Sequence, residues 1–361
     1  MPATSDLAAW GWSPALARLL EPAAPGAEDA GPAEPARVVG AAREIYRLRA
    51  AGGELEGRPA GRLRAAAELP VVGDWVACRR TGERTAVVLA VLPRRTRLAR
   101  RAAGEEGRAQ VMAANVDTVF LVMGLDRDFN LRRLERLAVV AREGGAEAVV
   151  VLTKADLLTP GEVAERRLAA AEAAPGLAVF AVSAPEGAGL DPLAFYLAPG
   201  STVALLGSSG AGKSTLLNRL AGEEVMRTSE VRAGDGRGRH TTTHRRLVRL
   251  PGGALLVDGP GLREVGLWGE DDSALDDAFT DVAALARACR FRDCRHRGEP
   301  GCAVAAAVED GTLDAARVES YRGLERELAW LERRADPPTD RRAARAQGAL
   351  YKRIQADKKE R

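Results

Sequence analysis

The sequence predicts an α/β protein in three successive parts: a small β-barrel, a parallel sheet with crossover helices, and a helical region broken by a cysteine cluster. Three observations predict it. Short apolar runs split by turn signals fill residues 37–101, strands alternate with helical segments over 115–266, and the pattern after Trp268 is helical except around 288–302. Several short strands in such a span suit a closed barrel, whereas strand–helix alternation builds a parallel sheet.

At 361 residues the chain exceeds one ordinary domain, and 46% hydrophobic with 29% charged residues supplies both a core and a hydrated surface. No stretch approaches the roughly 20 apolar residues of a membrane span. The N-terminus lacks the basic, apolar and small-residue order of a secretory signal. These features point to the cytoplasm, where cysteines act as ligands or core residues rather than disulfides.

Taken in order, residues 1–36 form an Ala/Pro-rich extension in which Ser13 caps and Pro14 starts a short helix through Leu20, with 21–35 as a flexible linker. Residues 37–46, 61–63, 71–78 and 85–92 read as strands, with turns at Gly52-Gly53, Gly73-Asp74 and Thr81-Gly82. An OB-fold is one candidate among small barrels, and Cys78 is a core residue of it. Strands follow at 117–123, 148–152, 177–182, 202–206 and 254–257, with a helix over 132–142.

A net charge of +3 is nearly balanced, yet Arg94, Arg95, Arg97, Arg100 and Arg101 crowd one segment. The C-terminal stretch is basic too, with Arg341, Arg342, Arg345, Lys352, Arg353, Lys358, Lys359 and Arg361. Such clusters suit phosphate contact, although solvated surfaces carry them as well. Lysine is otherwise scarce, so Lys213 inside a glycine loop marks a place that needs a compact point charge.

That loop is Gly207-Ser208-Ser209-Gly210-Ala211-Gly212-Lys213-Ser214, followed by Thr215, and it fits G-x-x-x-x-G-K-[ST] between a strand and a helix. Its backbone N–H groups can wrap phosphates at a helix N-terminus; Lys213 would reach the β- and γ-phosphates and Ser214 would ligate Mg²⁺. Asp258-Gly259-Pro260-Gly261 fits D-x-x-G: Asp258 would hold Mg²⁺ through water and the Gly261 amide would sense the γ-phosphate. Upstream, 238–244 is a Gly/Arg-rich loop from which Thr242 or Thr243 would complete the Mg²⁺ shell.

Thr153-Lys154-Ala155-Asp156 ends a strand and resembles the N-K-x-D element that reads guanine. Asp156 can accept from guanine N1–H and from its exocyclic amine, a pair adenine does not offer. Thr153 replaces the usual Asn, and its hydroxyl can supply part of the brace to the phosphate loop. Ser183-Ala184 fits the short element whose backbone meets guanine O6. These base-reading elements precede the phosphate loop, which gives a circularly permuted P-loop GTPase domain and leads the D-x-x-G switch straight into the C-terminal region.

There, Cys289, Cys294, His296 and Cys302 make a full tetrahedral set for Zn²⁺ with no open position for catalysis. Leu262 stands where many GTPases carry a water-orienting glutamine. Intrinsic turnover is therefore expected to be slow, with His240 as the candidate that positions water once a partner orders its loop; such activation is worth roughly 10³–10⁵ in rate.

Together these residues resemble the ribosome small-subunit-dependent GTPase A family, also called RsgA. The resemblance rests on the permuted order, Gly238 to Thr243, Asp258 to Gly261 running on to Gly266-Leu267-Trp268, the cysteine–histidine cluster, Val72-Gly73-Asp74-Trp75-Val76, and Asn115-Val116-Asp117. It implies an N-terminal OB-fold (37–105), a permuted GTPase domain (106–268) and a zinc-binding C-terminal domain with a basic tail (269–361), after the 1–36 extension. It also implies a late factor in small-subunit assembly that binds GTP and GDP, contacts the small ribosomal subunit and its rRNA rather than DNA or a membrane, works as a monomer, and leaves after hydrolysis. The rival class is a GTP-regulated RNA-binding module with incidental hydrolysis, and a weaker rival is an ATPase.

Overall fold

A computed structural model describes residues 5–23, 32–66, 68–101, 109–223, 245–259, 265–268 and 273–334. His240, Thr242, Thr243, Gly261 and the basic residues from Arg341 onward lie outside them. The chain starts with helices α1 (Ser5–Ala8) and α2 (Pro14–Ala23). The Leu16 amide donates to the Ser13 hydroxyl at 3.4 Å and Pro14 takes the first helical position, so the expected cap is in place. The segment expected as a linker is helical at its start and β-strand at its end. Leu7 and Leu16 are buried with Trp75 and Leu92, and the Trp12 ring sits 4.7 Å from Trp75. These helices are therefore part of the packed structure.

The barrel consists of β1 (Glu34–Ala42), β2 (Ile45–Ala50), β3 (Gly53–Pro59), β4 (Trp75–Arg80) and β5 (Thr85–Val91), with α3 (Gly61–Ala65) between β3 and β4. Pairing runs β1-β2-β3-β5-β4 and back to β1, which closes an OB-fold and leaves no free edge. Val38, Leu48, Leu55, Val76, Cys78 and Val88 fill it.

Two expectations are corrected here. Residues 37–46 are two strands, because Arg43 turns through a left-handed conformation with φ 56°. Residues 61–63 are helical: the single apolar Leu63 between two arginines buries one side chain per turn and offers no alternation. Strand β3 was not anticipated, since two of its three buried positions are Gly57 and Pro59. A Cβ on Gly57 would come within 2.5 Å of the Leu48 side chain, which would have to shift.

A hairpin of β6 (Arg97–Arg101) and β7 (Ala109–Ala114) leads to the second unit. Arg94 forks onto both oxygens of buried Asp74 at 2.8 Å, and Arg95 meets Asp117 at 2.7 Å. These two members of the arginine cluster hold the fold together internally.

The second unit contains β8 (Thr118–Gly124), α4 (Leu131–Glu143), β9 (Glu147–Thr153), α5 (Pro160–Ala173), β10 (Ala178–Ala181), β11 (Thr202–Leu206), α6 (Lys213–Ala221), β12 (Arg245–Arg249) and β13 (Leu255–Asp258). Its order is β10-β9-β8-β11-β13-β12, parallel except for β12. Apolar clusters cover both faces, as the near-continuous apolar strands require. β12 also pairs with β1 at Gly40 and Ala41, so sheet and barrel run on into each other. Buried Arg37 reinforces that junction: it donates to the Trp10 carbonyl, to the Asn115 carbonyl at 3.2 Å and to Thr202 Oγ1 at 2.8 Å.

Helices α7 (Ala274–Ala278), α8 (Thr280–Arg287), α9 (Ala303–Glu309) and α10 (Ala315–Arg334) follow. They dock on α4 through Arg317, which bonds Glu135 at 2.9 Å, ion-pairs with Asp281 and lies 4.6 Å from the Phe279 ring. Arg136 adds a forked pair to Glu327 at 2.5 and 2.7 Å. Among the described residues no helix is long and apolar enough to cross a membrane.

Candidate functional site: a nucleotide cleft and a metal cluster

Parallel strands β9, β10, β11 and β13 all end at one edge of the sheet, where open α/β sheets place their ligand sites. The loop Gly207–Ser214 leaves β11 there. Gly207 has φ 152°, and a Cβ on it would run into the Val122 carbonyl, so only glycine lets this loop turn away from β8. Gly212, at φ 85°, precedes α6, and no side chain caps that helix start. The Lys213 ammonium donates to the Gly207 carbonyl at 2.9 Å and to the Ser208 carbonyl at 2.5 Å, holding the loop in its curl.

The base-reading candidates come alongside. Thr153 ends β9, is buried, and donates its hydroxyl to the Ala211 carbonyl at 2.6 Å. The brace that an asparagine would supply is thus made by a hydroxyl. Lys154 adopts a left-handed conformation, φ 63°, and sends its ammonium to Asp126 at 2.7 Å. Ala155 and exposed Asp156 form a short 3-10 turn, tied to the next loop by a bond from the Ala155 amide to the Val182 carbonyl at 3.1 Å. Ser183 exchanges backbone bonds with Ala188 at 3.0 and 3.1 Å, which shapes the Ser183-Ala184 turn. Ala184, Pro185, Thr215, Asn218 and Arg219 line an open cleft of about 570 Å³ between that turn and α6.

Asp258 closes β13 at the same edge and accepts from Arg246 Nε at 3.0 Å. Beyond it, Gly266 donates to the Ala99 carbonyl and Trp268 to Glu143, both at 3.2 Å. The far end of the switch segment is therefore anchored to the β6–β7 hairpin and to α4. His240, Thr242, Thr243 and Gly261 lie outside the described residues.

Sequence reasoning missed three side chains beside the cleft. Asp126 and Asp128, on the loop after β8, reach Lys154 and Ser208, and Arg133 backs Asp128. The signal available was a D-x-D one residue beyond a fully buried strand.

A separate cluster forms between α8 and α9. The donor atoms of Cys289, Cys294, His296 and Cys302 all lie within 4.8 Å of one another. His296 Nδ1 is 3.5 Å from Cys289 Sγ and 3.6 Å from Cys302 Sγ, and the two sulfurs are 3.9 Å apart. Tetrahedral Zn²⁺ with bonds of ~2.3 Å to sulfur and ~2.0 Å to nitrogen demands such spacings. Glu299 organises the loop by accepting from the Arg295 and Arg297 amides at 3.1 and 2.6 Å, and backbone donors hold its carboxyl at about 2.

Residues 91–268 match a family model described as RsgA GTPase. A relative from Opitutus terrae, named "Small ribosomal subunit biogenesis GTPase RsgA", is 51% identical over 89% of each chain. One of the same name from Syntrophotalea carbinolica is 47% identical over 82% of this chain and 83% of its own. The chain belongs to the RsgA GTPase family. It is a GTP hydrolase, taking GTP to GDP with Mg²⁺ as this family does.

Two solved structures share this fold over most of the chain. YjeQ from Thermotoga maritima is 25% identical with a TM-score of 0.63, covering 82% of this chain and 99% of that one. YloQ, described as a circularly permuted GTPase, shares the fold at 22% identity and a TM-score of 0.58, covering 86% and 99%.

Proposed function

We propose that this chain binds the small ribosomal subunit in its GTP state, assists late maturation of that particle, and leaves after hydrolysing GTP to GDP and phosphate. The observation that carries the reading is the meeting of phosphate loop and base-reading loop through the Thr153–Ala211 bond, in a chain so close to relatives named for small-subunit biogenesis.

In this reading the amides of Gly207 to Ser214 wrap the phosphates, and the Lys213 ammonium turns from the Gly207 and Ser208 carbonyls to the β- and γ-phosphates. Asp156 accepts from guanine, Lys154 lies along the base, and the Ser183-Ala184 backbone meets O6. Ser214 and either Thr242 or Thr243 would ligate Mg²⁺, with Asp258 holding it through water, and the ion would neutralise phosphate charge. Gly261 senses the γ-phosphate and His240 positions the water.

Cys289, Cys294, His296 and Cys302 hold zinc in a closed structural site, since four protein ligands fill the tetrahedron. The barrel and the basic tail meet rRNA mainly through phosphates and shape, in keeping with an aromatic content of 4%. The working units are 37–105, 106–268 and 269–361 after the 1–36 extension, in a cytoplasmic monomer.

Cosedimentation with purified small subunits tests the partner. Retention with a non-hydrolysable GTP analogue and release with GDP are expected. Equal retention in both states, or none, would contradict the reading. Competition of GTP against ATP, with Asp156→Asn as the specificity control, tests the base.

A further inference from the structure

The loop after β8 carries two carboxylates that none of the roles above uses. Asp128 Oδ1 accepts from Ser208 Oγ of the phosphate loop at 2.5 Å and from Arg133 Nη2 at 2.6 Å, while Oδ2 accepts from the Gly124 amide at 3.0 Å. Its side chain is 14% exposed, and both of its oxygens are engaged. Two residues earlier, Asp126 Oδ2 accepts from the Lys154 ammonium at 2.7 Å, and Oδ1 takes the Asp128 amide at 3.1 Å. A single short loop therefore touches both halves of the nucleotide cleft.

Each contact answers a local need. Lys154 sits in a left-handed turn at a strand end, so the strand does not direct its side chain, and a partner must. Burial raises the Asp126 pKa, but the bonds from Lys154 and from backbone amides outweigh it and keep the carboxyl below its ordinary value, hence ionised at neutral pH. A second carboxylate near a phosphate site would repel the ligand if left alone. Arg133 offsets it, and Arg133 is itself fixed where Asn130 caps α4 by accepting from the Arg133 amide at 3.0 Å. Gly124 lets the loop close, because a Cβ there would fall 2.6 Å from Asp126 Oδ1.

We propose that Asp126 and Asp128 are positioning residues for the GTPase reaction: Asp128 fixes the phosphate loop through Ser208, and Asp126 fixes the base-side Lys154. The inference rests on the guanine-nucleotide reading of this cleft. It assigns the two carboxylates different ligand dependence. Asp128 acts on anything that needs the phosphate loop. Asp126 acts only on ligands that carry a base.

The test uses the full chain and two probes, GDP and inorganic tripolyphosphate, with dissociation constants measured by competition against a fluorescent GDP analogue. Asp128→Ala should weaken both probes by a similar factor, about tenfold, the lower end for losing a hydrogen bond to a charged group. Asp126→Ala should weaken GDP by a similar amount and leave tripolyphosphate unchanged. Ser208→Ala reports the first bond from its other side without touching the loop after β8, and should reproduce the Asp128→Ala loss. The pairs Asp128→Ala with Ser208→Ala, and Asp126→Ala with Lys154→Met, should lose no more than the worse single variant.

Purely structural damage would show as equal losses for both probes in every variant, accompanied by a lower unfolding temperature. That pattern, additive losses in the pairs, or parental affinity in Ser208→Ala would each overturn the proposal. GDP binding that survives Lys213→Ala would instead overturn the nucleotide reading beneath it.

Discussion

Thr153→Val isolates the bond that joins the two halves of the cleft. Valine keeps the branched shape and deletes only the donor. Thr153 is 2% exposed, its hydroxyl lies 2.6 Å from the Ala211 carbonyl, and Ala211 is itself fully buried. The variant therefore strands an acceptor that no water reaches, at a cost of about 1–3 kcal/mol. The bond is internal to the folded chain, so part of that cost falls on folding. The remainder appears in binding, where each 1.4 kcal/mol is about tenfold in Kd. Urea unfolding with and without saturating GDP, together with the GDP Kd, separates the two shares. Thr153→Asn should lose less, because a carboxamide can donate to the same carbonyl. A valine variant with parental stability and parental GDP affinity would refute the brace.

Three further outcomes follow from other parts of the molecule. Arg317→Ala leaves Glu135, 5% exposed, as a buried carboxylate without its guanidinium partner, and should cost about 3–5 kcal/mol in unfolding free energy. Burial already raises the Glu135 pKa, so the folded chain takes up a proton more readily than the unfolded one and loses stability as pH rises through the range just above ordinary glutamate values. The Arg317→Ala deficit should accordingly be larger at pH 8 than at pH 5 in paired denaturation curves. Metal analysis should find about one zinc per chain, and its removal by a chelator, or Cys302→Ser, should lower the thermal transition, since Cys302 also caps α9; metal-free protein with an unchanged transition would contradict a structural site. Arg37→Met removes the guanidinium that holds the Trp10 carbonyl, so cleavage within residues 1–36 by a limiting protease should speed up markedly.

The central sheet strands β8, β9, β11 and β13 were legible because they are buried on both faces and read as apolar runs. β11 (Thr202–Leu206) begins and ends where its sequence pattern does. The phosphate loop was legible because its glycines are dictated by backbone geometry, as the Gly207 contact with Val122 shows. What stayed hidden has physical reasons. β12 reads as a charged segment, Arg-Arg-Leu-Val-Arg, since only Leu247 points into the core. β3 hides behind Gly57 and Pro59. Arg94 and Arg95 looked like surface charge because their partners, Asp74 and Asp117, lie some twenty residues away in sequence. Asp126 and Asp128 escaped notice for a related reason: their partners, Lys154 and Ser208, lie on the loops after β9 and β11, so that only the folded sheet brings them together.

The measurement that tests the central claim most directly is GTP hydrolysis by the purified full chain, alone and with added small ribosomal subunits, using Lys213→Ala as the blank. The account predicts slow turnover alone, strong stimulation by the particle, and loss of both in the blank. Tight GTP binding with no stimulation by small subunits would contradict it and would move the partner elsewhere.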